Sequence, residues 1–221
     1  MIYGTNLKLP KERAYILSTT WERKRLTHMS KNIGEGDVVF YVGAECGDMP
    51  ALCQAWGAEV AMFEPSEHYW QQIKKIWQMN DFDDPMGFFA GFASNTTRTS
   101  GKIDWDDIDM DYENPDNLGF RELSKEANNF PQTKIDHSWE NGWKPPTVIS
   151  IDVEGSEFEV LKGAELTLKA HKPKIYLSLH PEFLFDQWGV YGNDVRNYLK
   201  GFGYEETLID YPPHEVHFYY D

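Results

Sequence analysis

Apolar and polar positions follow two alternating periods along most of the chain, which predicts alternating strands and helices. Five short and nearly continuous apolar runs are typical of strands covered on both faces: 38–42, 60–63, 87–92, 148–153 and 175–179. Helical stripes of apolar residues lie between and after them: 49–56, 66–79, 157–164 and 194–199. A helical lead-in over 1–35 precedes the first strand, and strands at 205–209 and 216–220 are expected to close the sheet as an antiparallel pair. Ser66 and Ser156 precede two of the helices and are expected to cap them.

This alternation predicts an α/β fold, with a mostly parallel sheet, helices on both faces and a single domain over 1–221. Ligands of such sheets bind beyond the carboxyl ends of the strands. One segment, 96–146, is too long for a simple connection, so we interpret it as an insertion between the third and fourth core strands. Its acidic run, DWDDIDMDYE, does not match a calcium loop, because a loop started at Asp104 has Asp109 instead of glycine at its sixth position. We expect this insertion to be a solvated and mobile segment.

The charge balance excludes some classes of partner. A formal net charge of -15 argues against a ligand held through a phosphate backbone, such as nucleic acid. No apolar run approaches the roughly 20 residues of a membrane span, and the first residues lack the apolar core of a signal peptide. The spacing of Cys46 and Cys53 suggests neither a disulfide nor a metal site. We therefore expect a cytoplasmic protein with no nucleic-acid or membrane partner.

The turn after the first strand, GAECGD at 43–48, is typical of adenosine-type cofactor sites. Glu64 ends the second strand 21 residues after Gly43, close to the spacing at which an acid accepts hydrogen bonds from the two ribose hydroxyls. A dehydrogenase is disfavoured, because the third glycine of G-x-G-x-x-G is absent and Glu45 would repel a pyrophosphate. S-adenosylmethionine, an adenosine with a sulfonium and an amino group, suits the turn better.

Four blocks of the chain together resemble the FkbM-like branch of the class I S-adenosylmethionine-dependent methyltransferases: GDVVFYVGAECGD, MFEPS, VISIDVEGSEFEVLKGAE and KPKIYLSLH. The resemblance implies a Rossmann-like, mostly parallel seven-stranded sheet whose last strand is antiparallel. It also implies that Gly43, Ala44, Glu45 and Gly47 surround the methionine part of the cofactor. By the same resemblance, Glu64 holds the ribose, and the segment with Ala93, Ser94 and Asn95 lies near the adenine.

The acceptor chemistry is expected at the edge formed by Asp152, Glu154 and His180. Transfer to a hydroxyl needs a proton acceptor, and His180 follows a buried strand with a side chain that titrates near neutral pH. Asp152 or Glu154 would orient the acceptor, contact the amino group of the cofactor, or hold a divalent cation with His180. A catalytic metal is disfavoured, because two carboxylates and one histidine often occur together by chance. The expected reaction is O-methylation of a small-molecule, sugar or natural-product hydroxyl.

Plainer interpretations stay open for these residues. Asp152 and Glu154 could cap the following helix, and His180 could hydrogen-bond only to the backbone. The chain also departs from the usual family pattern, with Tyr41 in place of aspartate and Glu45 in place of asparagine. The alternative to an enzyme is therefore a catalytically degenerate binding or scaffold protein of the same fold. The sequence does not indicate the oligomeric state.

Overall fold

The fold is built around a seven-stranded sheet. The computed structural model describes residues 2–98, 103–110, 130–140 and 142–221. Its strands, in chain order, are β1 (Val38–Val42), β2 (Glu59–Phe63), β3 (Gly87–Phe89), β4 (Phe92–Ala93), β5 (Gln132–Thr133), β6 (Val148–Ile151), β7 (Lys174–Leu179), β8 (Glu206–Asp210) and β9 (Val216–Tyr220). The main sheet has the order β3-β2-β1-β6-β7-β9-β8, and β4 pairs with β5 in a separate two-stranded sheet. The last strand, β9, is antiparallel to both of its neighbours, which confirms the predicted fold class.

The register of the central strands places three predicted site residues at one edge. Val42, the last residue of β1, pairs with Phe63 on one side and with Ile151 on the other. The chain therefore leaves the sheet at the same level after all three strands. Because parallel strands share their carboxyl edge, the residues that follow them, Gly43, Glu64 and Asp152, meet there.

Helices cover both faces of the sheet, as predicted. Their bounds are Lys11–Ser18, Arg23–Asn32, Asp48–Ala55, Glu67–Met79, Ile135–Glu140, Glu157–Lys162, Glu165–Ala170, Pro181–Trp188 and Gly192–Gly201, with a 3₁₀ turn at Trp105–Asp107. Side chains of β1 alternate between two apolar cores: Val39 and Tyr41 enter one, and Phe40 and Val42 enter the other. In the part of the chain that the structure describes, no helix is both long enough and apolar enough to cross a membrane.

The structure corrects several predicted elements. The helix Pro181–Trp188 was not expected, and the predicted helical lead-in over 1–35 contains two helices, Lys11–Ser18 and Arg23–Asn32. The predicted strand at 87–92 is divided into β3 and β4. Between them the amide of Gly91 donates to the carbonyl groups of Glu64 and Phe89, and the chain after it pairs with β5. Ser66 and Ser156 precede helices, but neither side chain makes a capping hydrogen bond. Within the predicted insertion, β5 ends at Thr133 and a helix begins at Ile135.

The predicted insertion, 96–146, is described only in part, and 111–129 lies outside the described residues. Its acids Asp104 and Asp109 are exposed, as expected. Ile108 between them is buried in the core, and the Trp105 ring lies 5.5 Å from the ring of Phe88. The expectation of a wholly solvated segment is therefore wrong for 103–110, because apolar residues alternate with the acids and attach the segment to the core.

Candidate functional site

A cavity of about 500 Å³ opens at the carboxyl edge of β1, β2 and β6, within the size range of small-molecule sites. Seven of the eleven predicted site residues line it: Gly43, Ala44, Glu45, Glu64, Ala93, Asp152 and Glu154. Further walls come from the aromatic side chains of Trp21, Tyr69 and Phe92. The structure thus brings three of the four sequence blocks together around one cavity, and the fourth, KPKIYLSLH, does not line it.

Asn95 is not on the cavity wall, and neither are three other predicted site residues. Gly47 begins the helix Asp48–Ala55 and packs against Ile73, where an added Cβ would lie 2.9 Å from the backbone. Ser94 donates its amide to Thr133 in the small sheet. His180 is 6% exposed, and its Nδ1 lies 2.8 Å from Oε1 of Glu157, behind the wall. None of these three is placed to contact a molecule in the cavity directly.

Glu64 is held in a fixed position by the backbone. Its Oε2 accepts the amide of Glu45 at 2.7 Å, and its Oε1 accepts the amide of Ser66 at 2.8 Å. Burial raises the pKa of this carboxyl group to about 7, and the two amide hydrogen bonds limit the rise. Each carboxylate oxygen keeps a second lone pair, so both can still accept a hydrogen bond from a ligand hydroxyl.

Glycine at position 43 is required by close backbone packing. Its φ of +84° lies in the left-handed region, and an added Cβ would stand 1.9 Å from the carbonyl oxygen of Asp152. The loops after β1 and β6 therefore touch directly through their backbones. Glycine is therefore needed at position 43 for the contact between the two loops that form the cavity floor.

The corner beside this loop contains a partly buried ion pair and a buried tyrosine. Nη2 of Arg13 lies 2.7 Å from Oδ2 of Asp48 at the start of a helix. The hydroxyl of Tyr41 donates to the sulfur of Met49 at 2.9 Å. Glu45, on the open side of the corner, has a raised pKa because the site removes it from water and Asp152 adds negative charge. The two departures from the family pattern, Tyr41 and Glu45, thus sit on the same cavity wall.

Three glutamates on the cavity wall have strained backbones. Glu22, Glu45 and Glu154 have φ angles of 51°, 47° and 47°, in the left-handed region that favours glycine. Only seven non-glycine residues among those described have a positive φ. Such strain persists where the surrounding structure enforces it, and it concentrates at functional sites. This feature supports the cavity as the functional site independently of any sequence motif.

The wall opposite Glu64 is an ionic cluster centred on the fully buried Arg25. Its Nη1 lies 2.8 Å from Oδ2 of Asp152 and 3.2 Å from Oε2 of Glu22, and its Nη2 donates to Ser150 Oγ at 2.9 Å. Burial opposes the positive charge of Arg25, but the neighbouring acids raise its pKa well above the ordinary value. The guanidinium thus fixes Asp152 and Glu22 in place along the cavity.

Acids on two other elements surround His180. Its Nε2 lies 3.3 Å from Oε2 of Glu215 and 3.8 Å from Oδ1 of Asp152. Burial alone would lower the pKa of His180, but its contacts with Glu157 and Glu215 raise it to about 11. His180 therefore supports the positions of Asp152 and Glu215 rather than facing the cavity itself.

The comparisons with known proteins agree with this geometry. The family described as the methyltransferase FkbM domain matches residues 37–206. The chain belongs to the FkbM methyltransferase family. The predicted resemblance is confirmed, and no curated protein matches the chain.

Solved structures similar to this FkbM chain share its fold. An FkbM methyltransferase from Methylobacillus flagellatus KT is 19% identical with a TM-score of 0.56, over 84% of this chain and 43% of that one. A ribosomal protein L11 methylase from Lactobacillus delbrueckii subsp. bulgaricus is 11% identical, with a TM-score of 0.51 over 90% of this chain and 77% of that one. A precorrin-6y C5,15-methyltransferase from Geobacter metallireducens GS-15 is 12% identical, with a TM-score of 0.51 over 97% and 92% of the two chains. The chain thus spans less than half of the Methylobacillus protein.

Sequence reasoning missed the residues that lie outside the FkbM match. Glu22 and Arg25 precede it, and Glu215 and His217 follow it. One signal was present for His217, since it interrupts the otherwise apolar strand VHFYY, and a buried polar residue in such a strand needs a partner. For Glu22 and Glu215, local sequence offers no comparable signal.

Proposed function

We propose that this FkbM-family chain binds S-adenosylmethionine in the cavity and methylates a hydroxyl group of a small molecule there. The observation that carries the proposal is Glu64, which lines the cavity at the end of β2 and is held there by two backbone amides. An acid so placed suits a ribose, whose two hydroxyls donate hydrogen bonds. S-adenosylmethionine, when bound, supplies a methyl group attached to a positively charged sulfur.

The residues present fit this cofactor. The cavity extends from the loop after β1, past Glu64, to Phe92 and Ala93, which matches an elongated molecule with a polar and an aromatic end. The carboxyl groups of Glu45 and Asp152 would attract its amino group and sulfonium. Phe92 and Tyr69 offer apolar ring surface for a purine.

We assign the proton-accepting role to Glu154 in place of His180. Glu154 is exposed on the cavity wall, whereas His180 lies behind it. Partial desolvation by the cavity wall and the negative charge of Asp152 raise the pKa of Glu154 in spite of the opposing charge of His180, which brings the carboxylate closer to the basicity that a general base needs. Glu154 would take the hydroxyl proton as the oxygen gains the methyl group. Asp152, fixed by Arg25, would orient the acceptor.

The charge of the cavity restricts the acceptor. Seven acidic side chains line it: Glu22, Glu45, Asp48, Glu64, Asp152, Glu154 and Glu215. Among the described residues that form the lining, none is lysine or arginine. A phosphorylated or carboxylate acceptor would meet repulsion there, so we propose an uncharged or cationic hydroxyl compound, such as an amino sugar.

Transfer of a radiolabelled methyl group from S-adenosylmethionine to a panel of amino sugars, neutral sugars and sugar phosphates tests this proposal. We expect incorporation into the first two groups only, and a loss of at least about 100-fold in kcat for Glu154→Gln. Glu182→Gln, which changes an exposed carboxylate away from the cavity, serves as the matched control. Preferred methylation of the sugar phosphates would contradict the proposed acceptor class.

One observation favours a second candidate function, a binding protein without catalysis. Tyr41, where the family commonly has aspartate, lines the cavity and donates a hydrogen bond to the sulfur of Met49. A chain that binds the cofactor but transfers no label to any acceptor, under conditions where Glu64 variants lose binding, would support this second function.

A further inference from the structure

Three side chains at the back of the cavity converge without a hydrogen bond between them. Nε2 of His217 lies 3.0 Å from Oε1 of Glu22 and 3.1 Å from Oε2 of Glu215. Neither contact has hydrogen-bond geometry, and neither ring nitrogen has another hydrogen-bond partner among the described residues. Because His217 is only 1% exposed, bulk water does not satisfy it either. The buried imidazole thus meets two carboxylates at ion-pair distance without a hydrogen bond to either of them.

The spacing of the three ligand atoms suits a metal ion. Adjacent ligands of a six-coordinate ion with bonds of about 2.1 Å lie about 3 Å apart, as the nitrogen and the two carboxylate oxygens do here. All three atoms lie within 4.8 Å of one another. An ion between them would give Nε2 the partner that it lacks.

The charge around the three residues also favours a cation. Arg25 contacts Oε2 of Glu22, so the other oxygen of that carboxylate remains directed at His217. The same guanidinium contacts Asp152, and Glu215 lies beside them at the cavity. His180 also contacts Asp152 and Glu215, so two cationic side chains, Arg25 and His180, face three carboxylates. Carboxylates held away from water are stable when they are paired or coordinate a metal.

We propose that Glu22, Glu215 and His217 form a binding site for a divalent cation that accepts both imidazole and carboxylate ligands, as Mn²⁺ and Zn²⁺ do. Glu22 and Glu215 line the cavity, so the ion has an entry path and, once bound, faces a molecule in the cavity. The site lies outside the matched family domain, whose residues are 37–206. This inference does not rest on the proposed methyl transfer.

A neighbouring set of residues provides an internal comparison. Asp152, His180 and Glu215 also place their ligand atoms within 4.8 Å of one another. Their contacts are longer, at 3.3 and 3.8 Å from Nε2 of His180, and Nδ1 of His180 already bonds to Glu157. We therefore assign the ion to His217, and the two histidines can be tested against each other.

Electron paramagnetic resonance of Mn²⁺, titrated into the chelator-treated full chain, tests the site. We expect one bound ion per chain, with affinity at least about 10-fold weaker in Glu22→Gln and in His217→Gln. The control Glu182→Gln removes an exposed carboxylate 3.7 Å from His214 and should leave the affinity within about 2-fold of wild type. Circular dichroism establishes that each variant is folded.

A second measurement on the wild-type chain covers the case in which the variants fail to fold. Echo-modulation spectra of bound Mn²⁺ should show a directly coordinated nitrogen that changes with ¹⁵N-histidine labelling. Absence of saturable binding, absence of a nitrogen ligand, or loss of binding in His180→Gln but not in folded His217→Gln would each overturn the assignment.

Discussion

The two walls of the cavity are stabilised in different ways. The wall with Gly43 and Glu64 is held by the backbone: amides bond to the glutamate, and two loops touch where only glycine fits. The opposite wall is held by buried side-chain charges, with Arg25 between Asp152 and Glu22. The first wall therefore depends on local chain geometry, and the second depends on charges brought together from distant segments. Substitutions should separate the two walls experimentally.

The largest effect is expected at the charged wall. Arg25→Met leaves the carboxylates of Glu22 and Asp152 without their guanidinium, and loss of one partner of a buried ion pair costs about 3–5 kcal/mol. Urea unfolding measures the change in the free energy of unfolding. Lys24 lies on the same helix as Arg25 and forms an exposed ion pair with Asp210 of β8. Lys24→Met, which breaks that pair, should cost less than about 1 kcal/mol. Equal effects of the two substitutions would contradict the central role of Arg25.

The next effect tests the backbone contact of the other wall. Gly43→Ala must displace the carbonyl of Asp152, whereas Gly36→Ala has a similar φ of +88° but no atom within 4 Å of the added Cβ. The two variants share the backbone strain and differ in the clash. We expect Gly43→Ala to lower the free energy of unfolding by about 2 kcal/mol more than Gly36→Ala. A difference near zero would show that the loops separate easily.

A pH-dependent effect is expected from Glu64. Its pKa is about 7 in the folded chain and near 4.5 when unfolded, so the folded state binds the proton more tightly. Stability from this group is present below about pH 4.5 and is lost as the pH rises through 7, by at most about 1.4 kcal/mol per pH unit. Glu64→Gln should remove this component. Urea unfolding of both proteins between pH 5 and 8 measures it, and parallel curves would refute the assignment.

The smallest effect is expected when the strained glutamates of the two walls are replaced by glycine. Glu45→Gly and Glu154→Gly each place glycine where φ is 47°, so each should raise the free energy of unfolding by up to about 1 kcal/mol. Lys172→Gly, at a φ of 48° away from the cavity, is the matched control. Thermal unfolding gives the ranking. If both cavity variants were destabilised and Lys172→Gly were not, the side-chain contacts of the two glutamates would outweigh their backbone strain.

The comparison also explains what the sequence could and could not predict. Glu64 and the loop after β1 were predictable, because β-strand ends and glycine turns are local patterns, and these residues do line the cavity. The position of His180 behind the cavity wall was not predictable, because it depends on contacts with Glu157 and Glu215, which approach from other elements. Among the described residues, Glu22 and Glu215 stand on either side of His217 although they are far apart in the chain. Periodicity carries no information on such long-range ion pairs.

Binding of S-adenosylmethionine and S-adenosylhomocysteine, measured by isothermal titration calorimetry, tests the central claim most directly. We predict saturable binding of both to the wild-type chain at one site, and affinity at least about 10-fold weaker in Glu64→Gln, which loses one ribose-accepting oxygen. Glu67→Gln, an exposed glutamate at the start of the following helix, should bind as wild type does. Failure of the wild-type chain to bind either molecule would contradict the account.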